Sequence, residues 1–339
     1  MNYKILNTIG PEFSEKAKSI TSTLGENDYK TIPQKDLPNG IEQYDIAIVG
    51  LANKFDKAVL DGARNLKIIA TPTTGLDHID LEIAKQKGIE VLSLRGETEF
   101  LNSITGTAEL AFGLIISLLR MVPFSFDDVR AGRWDREKWC GHNVSGMTLG
   151  VVGAGRLGTQ MIRYGNAFGM KVIFYDLNVG ESKGAKKVDF DELLCESDVA
   201  SLHVHLLSET ENMFTAEIFK KMKKTAVLVN TARGKIVNES DLLEALKNKT
   251  IAGYATDVLS HELNFAGNQF SKYPLVEYAK TNTNCIIVPH IGGMTYESRE
   301  ATDIFIAEKV KKYILIGTTI GATIGIGVGN AIGVSQSKK

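Results

Sequence analysis

The sequence predicts an α/β protein of two domains, each built on a parallel sheet. Short, nearly continuous apolar runs recur along the chain, and helix-like segments such as "ESDLLEALKNK" from Glu239 separate them. Continuous apolar runs are typical of strands buried on both faces, and strand–helix alternation is typical of parallel sheets. The length of 339 residues is enough for two domains with separate cores.

The predicted strands are, in chain order, "YKILNTI", "DIAIVG", "LKIIATP", "IEVLSL", "TLGVVG", "KVIFYD", "DVASLHV", "AVLVNTA", "IAGYATDV" and "CIIVPH". A helical stretch from Thr105 to Val122, "TGTAELAFGLIISLLRMV", interrupts this alternation and is apolar almost all round. Such a helix has to be buried, either between domains or against another subunit. The sequence therefore predicts a homodimer.

The same helix divides the chain into domains. The helix around "ESREATDIFIAEKVKKYI" follows the second α/β unit and is expected to return to the first. We therefore predict one domain from residues 1–101 plus 291–316, a second from residues 102–290, and a glycine-rich tail from residues 317–339.

Composition and charge exclude several classes of protein. The formal net charge is -1, so no overall field attracts nucleic acid or anionic lipid. The three cysteines, Cys140, Cys195 and Cys285, are far apart and lack the spacing of a zinc or redox motif. The first residues, "MNYKILNTIGPEFSEK", lack the basic-then-apolar order of a signal peptide. We expect a cytoplasmic protein that does not bind nucleic acid.

The C-terminal segment from Tyr313 to Ser337 carries no charge, and glycines recur at every fourth position from Gly317 to Gly333. Small residues at this spacing pack transmembrane helices together. So many glycines and β-branched residues make a poor helix in water. We favour a flexible tail, with membrane contact as the weaker alternative.

A glycine motif follows the fifth predicted strand in "LGVVGAGRLGTQMIRYGNAFGMKVIFYD". Gly153 permits a tight turn, Gly155 lets a pyrophosphate approach the main chain, and Gly158 lets the helix lie close to the strand. Asp176 ends the next strand, where a carboxylate binds ribose hydroxyls and repels a 2′-phosphate. The pattern predicts a Rossmann-type domain that binds NAD rather than NADP.

Arg233, Glu262 and His290 each lie just beyond a later apolar run, where open α/β sheets bind ligands. Taken singly, Arg233 could be a surface arginine and His290 a structural histidine. Together with "TGLDHIDL", "TAEL", "GVVGAGRLG", "SLHVHLLSETENMF", "NTARGKIV", "DVLSHE" and "PHIGG", in this order, the chain resembles the D-isomer-specific 2-hydroxyacid dehydrogenase family up to about Ile316. The resemblance implies a Rossmann-type NAD-binding domain inserted into a flavodoxin-like substrate domain.

The resemblance also implies that Arg233, Glu262 and His290 are the catalytic residues of an NAD-dependent oxidoreductase. Arg233 offers a planar fork of donors to a substrate carboxylate and the C2 oxygen. His290 takes the hydroxyl proton during oxidation and returns it during reduction. Glu262 accepts the other imidazole N–H and fixes the tautomer. The substrate is then a small D-2-hydroxy acid or its 2-keto acid.

Further site residues are predicted from the glycine motif and the resemblance. The predicted substrate contacts, besides Arg233, are Thr73, Thr74 and Gly75, whose backbone N–H groups hold the substrate carboxylate. The predicted cofactor contacts are Gly153, Gly155, Arg156, Leu157, Gly158, Asp176, His203, Thr231 and Asp257. His203 and His205 form an H-x-H pair, but no carboxylate or cysteine is partnered with them, and we predict no metal site. The family usually has proline where His205 stands.

Two alternatives stay open at this stage. Relatives acting on 3-phosphoglycerate carry arginines where Gly50 and Thr71 stand here, which disfavours a phosphorylated substrate, although Arg95 offers a replacement cation. We also expect no extra C-terminal regulatory domain of the kind found in some phosphoglycerate dehydrogenases. The same fold and triad occur in NADH-sensing corepressors resembling C-terminal binding protein, so a regulatory role is an alternative from a different class.

Overall fold

Two separate parallel sheets organise the chain in a computed structural model, which describes residues 2–262 and 267–323. The chain divides into a first unit, Met1–Gly96 with Arg299–Lys339, and a second unit, Glu97–Ser298. The sequence-based boundaries, 101 and 290, lie a few residues from these. One reason is that Arg156 of the second unit donates hydrogen bonds to the carbonyls of Leu101 and Ile104, which ties this stretch to the second unit.

The first unit is a sheet covered by helices on both faces. Its described strands, β1 to β5, are Tyr3–Asn7, Gly25–Tyr29, Ile46–Ile48, Ile68–Ala70 and Glu90–Leu92, in the spatial order β2-β1-β3-β4-β5. Helices α1 to α4 are Glu15–Ser22, Leu37–Gly40, Lys57–Gly62 and Leu81–Gln86. Successive residues of β3 point to opposite faces, so Ile46 and Ala47 belong to different core clusters.

The second unit contains the longer sheet. Its described helices α5 to α12 are Thr98–Leu101, Gly106–Leu119, Val122–Arg130, Arg156–Ala167, Phe190–Glu196, Ala216–Lys221, Glu239–Lys247 and Pro274–Ala279. Strands β6 to β12 are Thr148–Val152, Lys171–Tyr175, Lys186–Lys187, Val199–Leu202, Val227–Asn230, Gly253–Thr256 and Cys285–Ile287. They are all parallel, in the order β12-β11-β10-β9-β6-β7-β8. The order reverses beside β6, which is the position where such sheets bind ligands. These sheets confirm the predicted α/β class.

The apolar helix α6 is buried inside the second unit itself. Its residues Ala108, Ala111, Ile115 and Leu118 join the core cluster that also contains Leu149 of β6. The prediction that this helix is buried between domains or against another subunit is wrong. The reason is that α6 packs on α8 and on the sheet of its own unit, so its apolar surface requires no partner chain.

A stretch including α5 and α6, Thr98–Leu119, has the length and hydropathy of a membrane span, and it is the one such stretch in the described residues, 2–262 and 267–323. The core packing of α6 accounts for this apolar character without a bilayer.

The two described strands that the sequence analysis missed, β2 and β8, both lie at sheet edges. Their sequences, "GENDY" and "KK", contain no apolar run. An edge strand is covered on fewer sides than a central strand, so it tolerates polar and charged residues. The apolar-run criterion therefore finds central strands and passes over polar edges.

The final described helix, α13, spans Tyr296–Thr323 and packs on the first unit through Ile306, Ala307 and Val310. Its backbone continues into the predicted tail as far as Thr323, and the rest of the predicted tail lies outside the described residues. Asp303 anchors this helix to the N-terminus of α1, where its carboxylate accepts the Ser14 N–H at 3.0 Å.

Replacing Asp303 by Asn is expected to stabilise the protein at neutral pH. Burial raises the pKa of Asp303 to about 6, against the opposing effects of the Ser14 N–H and Arg299. A raised carboxyl pKa contributes stability that is complete below the unfolded pKa of about 4 and is lost as pH rises through 6. Asn keeps the acceptor without the charge, so we expect a gain of about 1–3 kcal/mol at pH 8 that shrinks towards pH 4.5.

Urea denaturation at both pH values measures this difference. Asp56→Asn serves as the matched control, because Asp56 also accepts a backbone N–H at a helix start but is exposed. A gain of equal size at both pH values would contradict the assignment to Asp303.

Candidate active site

Three neighbouring strands, β10, β11 and β12, end at the same edge of the second sheet. Arg233 follows β10, Glu262 follows β11 and His290 follows β12. Parallel strands place their carboxyl ends together, so the segments that carry these side chains meet at one edge. All three residues belong to the second unit.

Glu262 and His290 form a direct pair. His290 Nδ1 lies 2.7 Å from Glu262 Oε1. Both side chains are partly accessible, His290 at 29% and Glu262 at 22%. The other carboxylate oxygen, Oε2, accepts the Leu259 N–H at 3.0 Å, which orients the carboxylate. With Nδ1–H donated to Glu262, Nε2 is the nitrogen that remains to exchange a proton.

Asp257 holds the backbone on which His290 stands. Its two carboxylate oxygens accept the N–H groups of Ile291 at 2.6 Å and Gly292 at 2.8 Å, and its carbonyl accepts the His290 N–H at 2.9 Å. His290 has a φ of 53°, in the left-handed region that side-chain-bearing residues rarely adopt. Burial raises the pKa of Asp257, while the two backbone N–H groups oppose that rise.

Arg233 lies at the turn between β10 and a short 3₁₀ segment, Gly234–Ile236. Buried Asn230 organises this turn by donating to the Arg233 carbonyl at 2.9 Å and accepting the Ala232 N–H at 3.0 Å. The Arg233 guanidinium is half-buried and donates to the Ala232 carbonyl at 2.7 Å. The guanidinium therefore stands at the same sheet edge as the Glu262–His290 pair.

The glycine motif has the geometry that a dinucleotide requires. Gly153 has a φ of 92°, and a Cβ on Gly158 would lie 1.9 Å from the Gly153 carbonyl oxygen. Gly155 caps helix α8, and a Cβ built there would meet nothing within 4 Å. The turn thus leaves open space at a helix N-terminus where no side chain caps the first turn, which suits an anion.

Asp176 directly follows β7 and lies beside this turn. Its carboxylate accepts the N–H groups of Ala154 at 2.8 Å, Asn178 at 2.7 Å and Val179 at 2.9 Å. These hydrogen bonds outweigh burial and lower the pKa of Asp176, so it is ionised at neutral pH. An anion placed here accepts hydroxyl hydrogens and repels a phosphate.

Arg156 and Leu157, the other predicted cofactor contacts at the start of α8, direct their side chains to other parts of the protein. Arg156 donates from Nη1 to the Leu101 carbonyl at 3.1 Å and to the Ile104 carbonyl at 2.6 Å. Burial lowers the pKa of Arg156. Leu157 packs against the core cluster under α6. Arg156 therefore links the glycine turn to the chain that leads into α6.

His203 and Thr231 directly follow β9 and β10. Each has one buried polar atom, His203 Nδ1 or Thr231 Oγ1, without a hydrogen-bond partner in the described part of the chain. Burial lowers the pKa of His203 to about 3, so it is neutral. Partnerless buried atoms beside the glycine turn fit a group that carries hydrogen-bonding atoms of its own. NAD has such atoms, so the residues present fit this cofactor.

His203 and His205 do not share an environment, because β9 ends at Leu202 and His205 is exposed. His203 Nε2 lies 2.8 Å from Ser201 Oγ. Across residues 2–262 and 267–323, no group of three or more His, Cys, Asp or Glu side chains has the arrangement of a metal site.

The predicted substrate contacts Thr73, Thr74 and Gly75 follow β4 in the first unit. Thr73 Oγ1 donates to the Gly75 carbonyl at 2.8 Å and lies 3.0 Å from Thr71 Oγ1. Buried His78 completes the chain of contacts, with Nε2 3.3 Å from Thr71 Oγ1. Thr71 is therefore engaged in shaping this loop.

Asn230 and Glu239 are site-supporting residues that the sequence analysis missed. Asn230 ends β10 in the run "AVLVNTA", and Glu239 begins α11 in "NESDLLEAL". Glu239 Oε1 accepts the N–H of Ser260, in the loop that carries Glu262, at 2.8 Å. A helix start is an ordinary place for an acidic residue, so the sequence gives no signal of this contact. Buried polar Asn230 at a strand end was the available signal.

Comparison with known proteins shows which protein family the chain is similar to. Residues 112–292 match the family model described as D-isomer specific 2-hydroxyacid dehydrogenase, NAD binding domain. A glyoxylate reductase of Thermococcus litoralis is 35% identical, over 84% of this chain and 84% of that protein.

Two further similarities broaden the comparison. A D-3-phosphoglycerate dehydrogenase of Methanocaldococcus jannaschii is 34% identical over 88% of this chain, which spans only 56% of that longer protein. The crystal structure of an Aquifex aeolicus D-lactate dehydrogenase complexed with NAD and lactic acid is 29% identical, with a TM-score of 0.80 over 97% of this chain and all of that one (100%).

Replacing Gly155 by Ala is expected to weaken NADH binding without affecting stability. The added methyl group meets no protein atom within 4 Å, but it occupies the space over the helix N-terminus that the pyrophosphate needs. We expect the Kd for NADH to rise about tenfold or more with the melting temperature unchanged, as measured by fluorescence titration and thermal unfolding.

Gly113→Ala is the matched control, because Gly113 lies on the exposed side of α6 and its Cβ also meets open space. It should leave the Kd unchanged. Equal affinities of the Gly155 variant and the parent protein for NADH would contradict the assignment of the glycine turn to the cofactor site.

Proposed function

The chain belongs to the D-isomer specific 2-hydroxyacid dehydrogenase family, and we propose that it interconverts a small, unphosphorylated D-2-hydroxy acid and its 2-keto acid by hydride transfer. The family model covers more than half of the 339 residues. Membership confirms three predictions made from the sequence: the family, the oxidoreductase class and NAD as the cofactor.

The observation that carries the proposed mechanism is the Glu262–His290 pair. With Nδ1 bound to Glu262 at 2.7 Å, His290 Nε2 accepts the C2 hydroxyl proton during oxidation and returns it to the carbonyl oxygen during reduction. The Glu262 carboxylate fixes the tautomer and stabilises the imidazolium that forms. Asp257 holds the backbone of this histidine so that the ring keeps its direction.

Arg233 supplies the second element of the proposed mechanism. Its guanidinium donates to the substrate carboxylate and to the C2 oxygen, which develops negative charge as the carbonyl is reduced. NAD, when bound, supplies the nicotinamide carbon that accepts or donates the hydride. Gly153, Gly155 and Gly158 would hold its pyrophosphate, Asp176 its ribose hydroxyls, and His203 and Thr231 would offer their buried polar atoms.

The first unit is proposed to contribute substrate contacts through Thr73, Thr74 and Gly75. We favour an unphosphorylated substrate, because the relatives include a glyoxylate reductase and because the arginine that the family resemblance implies for phosphoglycerate is absent at Thr71. Thr71 is instead bonded to Thr73 and His78. Arg95 is exposed, and it is one candidate cation for a phosphorylated substrate. Because a D-3-phosphoglycerate dehydrogenase is among the relatives, activity on a phosphorylated acid is one outcome that the assay below can give.

A panel of keto acids tests the proposed reaction. We expect NADH oxidation with glyoxylate, hydroxypyruvate or pyruvate at about 1 per second or faster, and much slower oxidation with phosphohydroxypyruvate. Preference for the phosphorylated acid would replace the proposed substrate class. Tight NADH binding without turnover of any acid in the panel would favour the NADH-sensing alternative.

Arg233→Lys in the same assay is expected to reduce kcat/KM about 100- to 1000-fold and to leave the Kd for NADH within about twofold, because Lys cannot reproduce the bidentate fork. Unchanged kinetics would contradict the role of Arg233.

We further propose a homodimer in the cytoplasm. Val122, Phe126 and Val129 recur at helical spacing on α7 with 46%, 59% and 51% exposure, and Trp134 beyond them is 87% exposed. Apolar surface of this kind marks association sites. The three cysteines are free, in keeping with a reducing compartment.

Light scattering is expected to give about twice the 37.1 kDa chain mass for the parent protein, and the chain mass for Val129→Asp. A charge on the exposed side of α7 would oppose burial of this surface in a dimer. Leu207→Asp, at an exposed leucine that is not on α7, should leave the dimer intact. A monomeric parent protein would refute the proposal.

A further inference from the structure

We propose that Glu239 and Tyr273 are positioning residues for the reaction, which hold the segment Leu259–Glu262 so that the Glu262 carboxylate meets His290. The proposal rests on the proposed function, because it acts through the Glu262–His290 pair. Neither residue is expected to touch substrate or cofactor.

Glu239 is the first residue of α11, and its carboxylate bridges two other segments. Oε1 accepts the Ser260 N–H at 2.8 Å, and Oε2 accepts the hydroxyl of Tyr273. Tyr273 immediately precedes α12. One carboxylate therefore joins the start of α11, the loop after β11 and the start of α12.

The same loop is held from another side by the main chain at Gly234. A Cβ on Gly234 would lie 2.1 Å from the Leu259 carbonyl carbon and 2.2 Å from the Ser260 nitrogen. The short stretch 233–239 thus begins with Arg233, packs on the loop at Gly234 and binds its backbone through Glu239. The positions of Arg233 and Glu262 are coupled through this stretch.

A displacement of Ser260 is transmitted directly to Glu262. The Leu259 N–H is bound by Glu262 Oε2 at 3.0 Å, and the Leu259 carbonyl accepts the Glu262 N–H at 3.3 Å. Ser260 lies within this closed turn, so the turn moves as a unit. A misplacement of about 1 Å at a proton-transfer group costs about 100-fold in rate.

The chemistry of the bridge fits a positioning role. Burial and the nearby Glu239 carboxylate raise the pKa of the Tyr273 hydroxyl, so it remains a hydrogen-bond donor. The two donors to Glu239 named above, a backbone N–H and a phenol, are neutral. Glu239 is thereby fixed by hydrogen bonds with defined directions, and these bonds determine geometry more strictly than a contact between exposed charges.

A pair of tyrosine variants provides the first test. Tyr273→Phe removes the hydroxyl that holds Glu239, whereas Tyr278→Phe removes a hydroxyl of α12 that binds Asn284 Oδ1 at 3.0 Å. With NADH and glyoxylate or hydroxypyruvate, we expect kcat to fall about 5- to 10-fold in the first variant and to stay within twofold of the parent in the second. Equal values of kcat for the two variants would overturn the proposal.

Substitutions of Glu239 separate positioning from general stability. Glu239→Ala is expected to lower kcat about 10- to 100-fold, while Glu239→Gln, which keeps an oxygen for Ser260 N–H, should recover most of it. The Kd for NADH should change less than twofold in both. A Gln variant as impaired as the Ala variant would overturn the proposal, and if the Ala variant does not fold, the tyrosine pair decides.

A double-mutant cycle with Glu262→Gln distinguishes this proposal from the proposed function. If Glu239 acts through Glu262, the double variant Glu239→Ala, Glu262→Gln is no slower than Glu262→Gln alone. Multiplied losses would overturn the positioning role while leaving the proposed function intact. An unimpaired Glu262→Gln variant would instead refute the role of Glu262, and the present proposal with it.

Discussion

The buried carboxylate of Asp257 is the interaction on which the rest of the site depends. It directly follows β11, and it binds the two backbone N–H groups that follow His290. Without these bonds, the left-handed backbone at His290 would be held only by its own N–H bonds, and a residue with a side chain pays about 1 kcal/mol or more for that conformation. The direction of the imidazole therefore depends on a residue of the neighbouring strand.

Main-chain contacts unite the segments that carry Arg233, Glu262 and His290. Gly234 lies against the backbone of Leu259 and Ser260, and the carbonyl of Asp257 accepts the His290 N–H. Contacts of this kind tolerate little movement, because backbone atoms cannot change rotamer. The side chains that do chemistry thus stand on segments whose spacing is set mainly by the sheet.

The sequence predicted the central strands and the more apolar edge strands β5 and β12, but it missed the polar edge strands β2 and β8. Runs such as "TLGVV" and "VASL" are apolar because both faces of these strands are buried, while β2 and β8 are polar edges. The glycine turn was predictable because a Cβ would collide with the backbone at Gly153 and Gly158 and would occupy the open space at Gly155. The location of helix α6 was predicted wrongly, because burial in the core of its own unit and burial in a subunit interface give the same apolar sequence pattern.

The chemical residues were predicted by their place after strands, but the supporting roles of Asn230, Glu239 and Tyr273 were not. Asp257 was predicted as a cofactor contact and not as a support of His290. Glu239 and Tyr273 contact the Glu262 loop across a large sequence separation, and neither residue stands out by type or spacing. Arg156 was predicted from the glycine motif as a cofactor contact, yet its guanidinium binds carbonyls near the start of α6. Such long-range hydrogen bonds depend on the tertiary fold, which local patterns do not encode.

The edge position of β12 leaves the segment that carries the proton-transfer group less protected than the centre of the second sheet. This strand is three residues long, Cys285–Ile287, and pairs on one side only, with β11. Edge strands open locally at a lower free energy than the strands inside a sheet. Fraying of β12 would carry His290 away from Glu262 while β6, β9 and β10 stay folded. On heating, loss of turnover would then precede global unfolding, and slow hydrogen exchange in the sheet centre would coexist with an inactive enzyme.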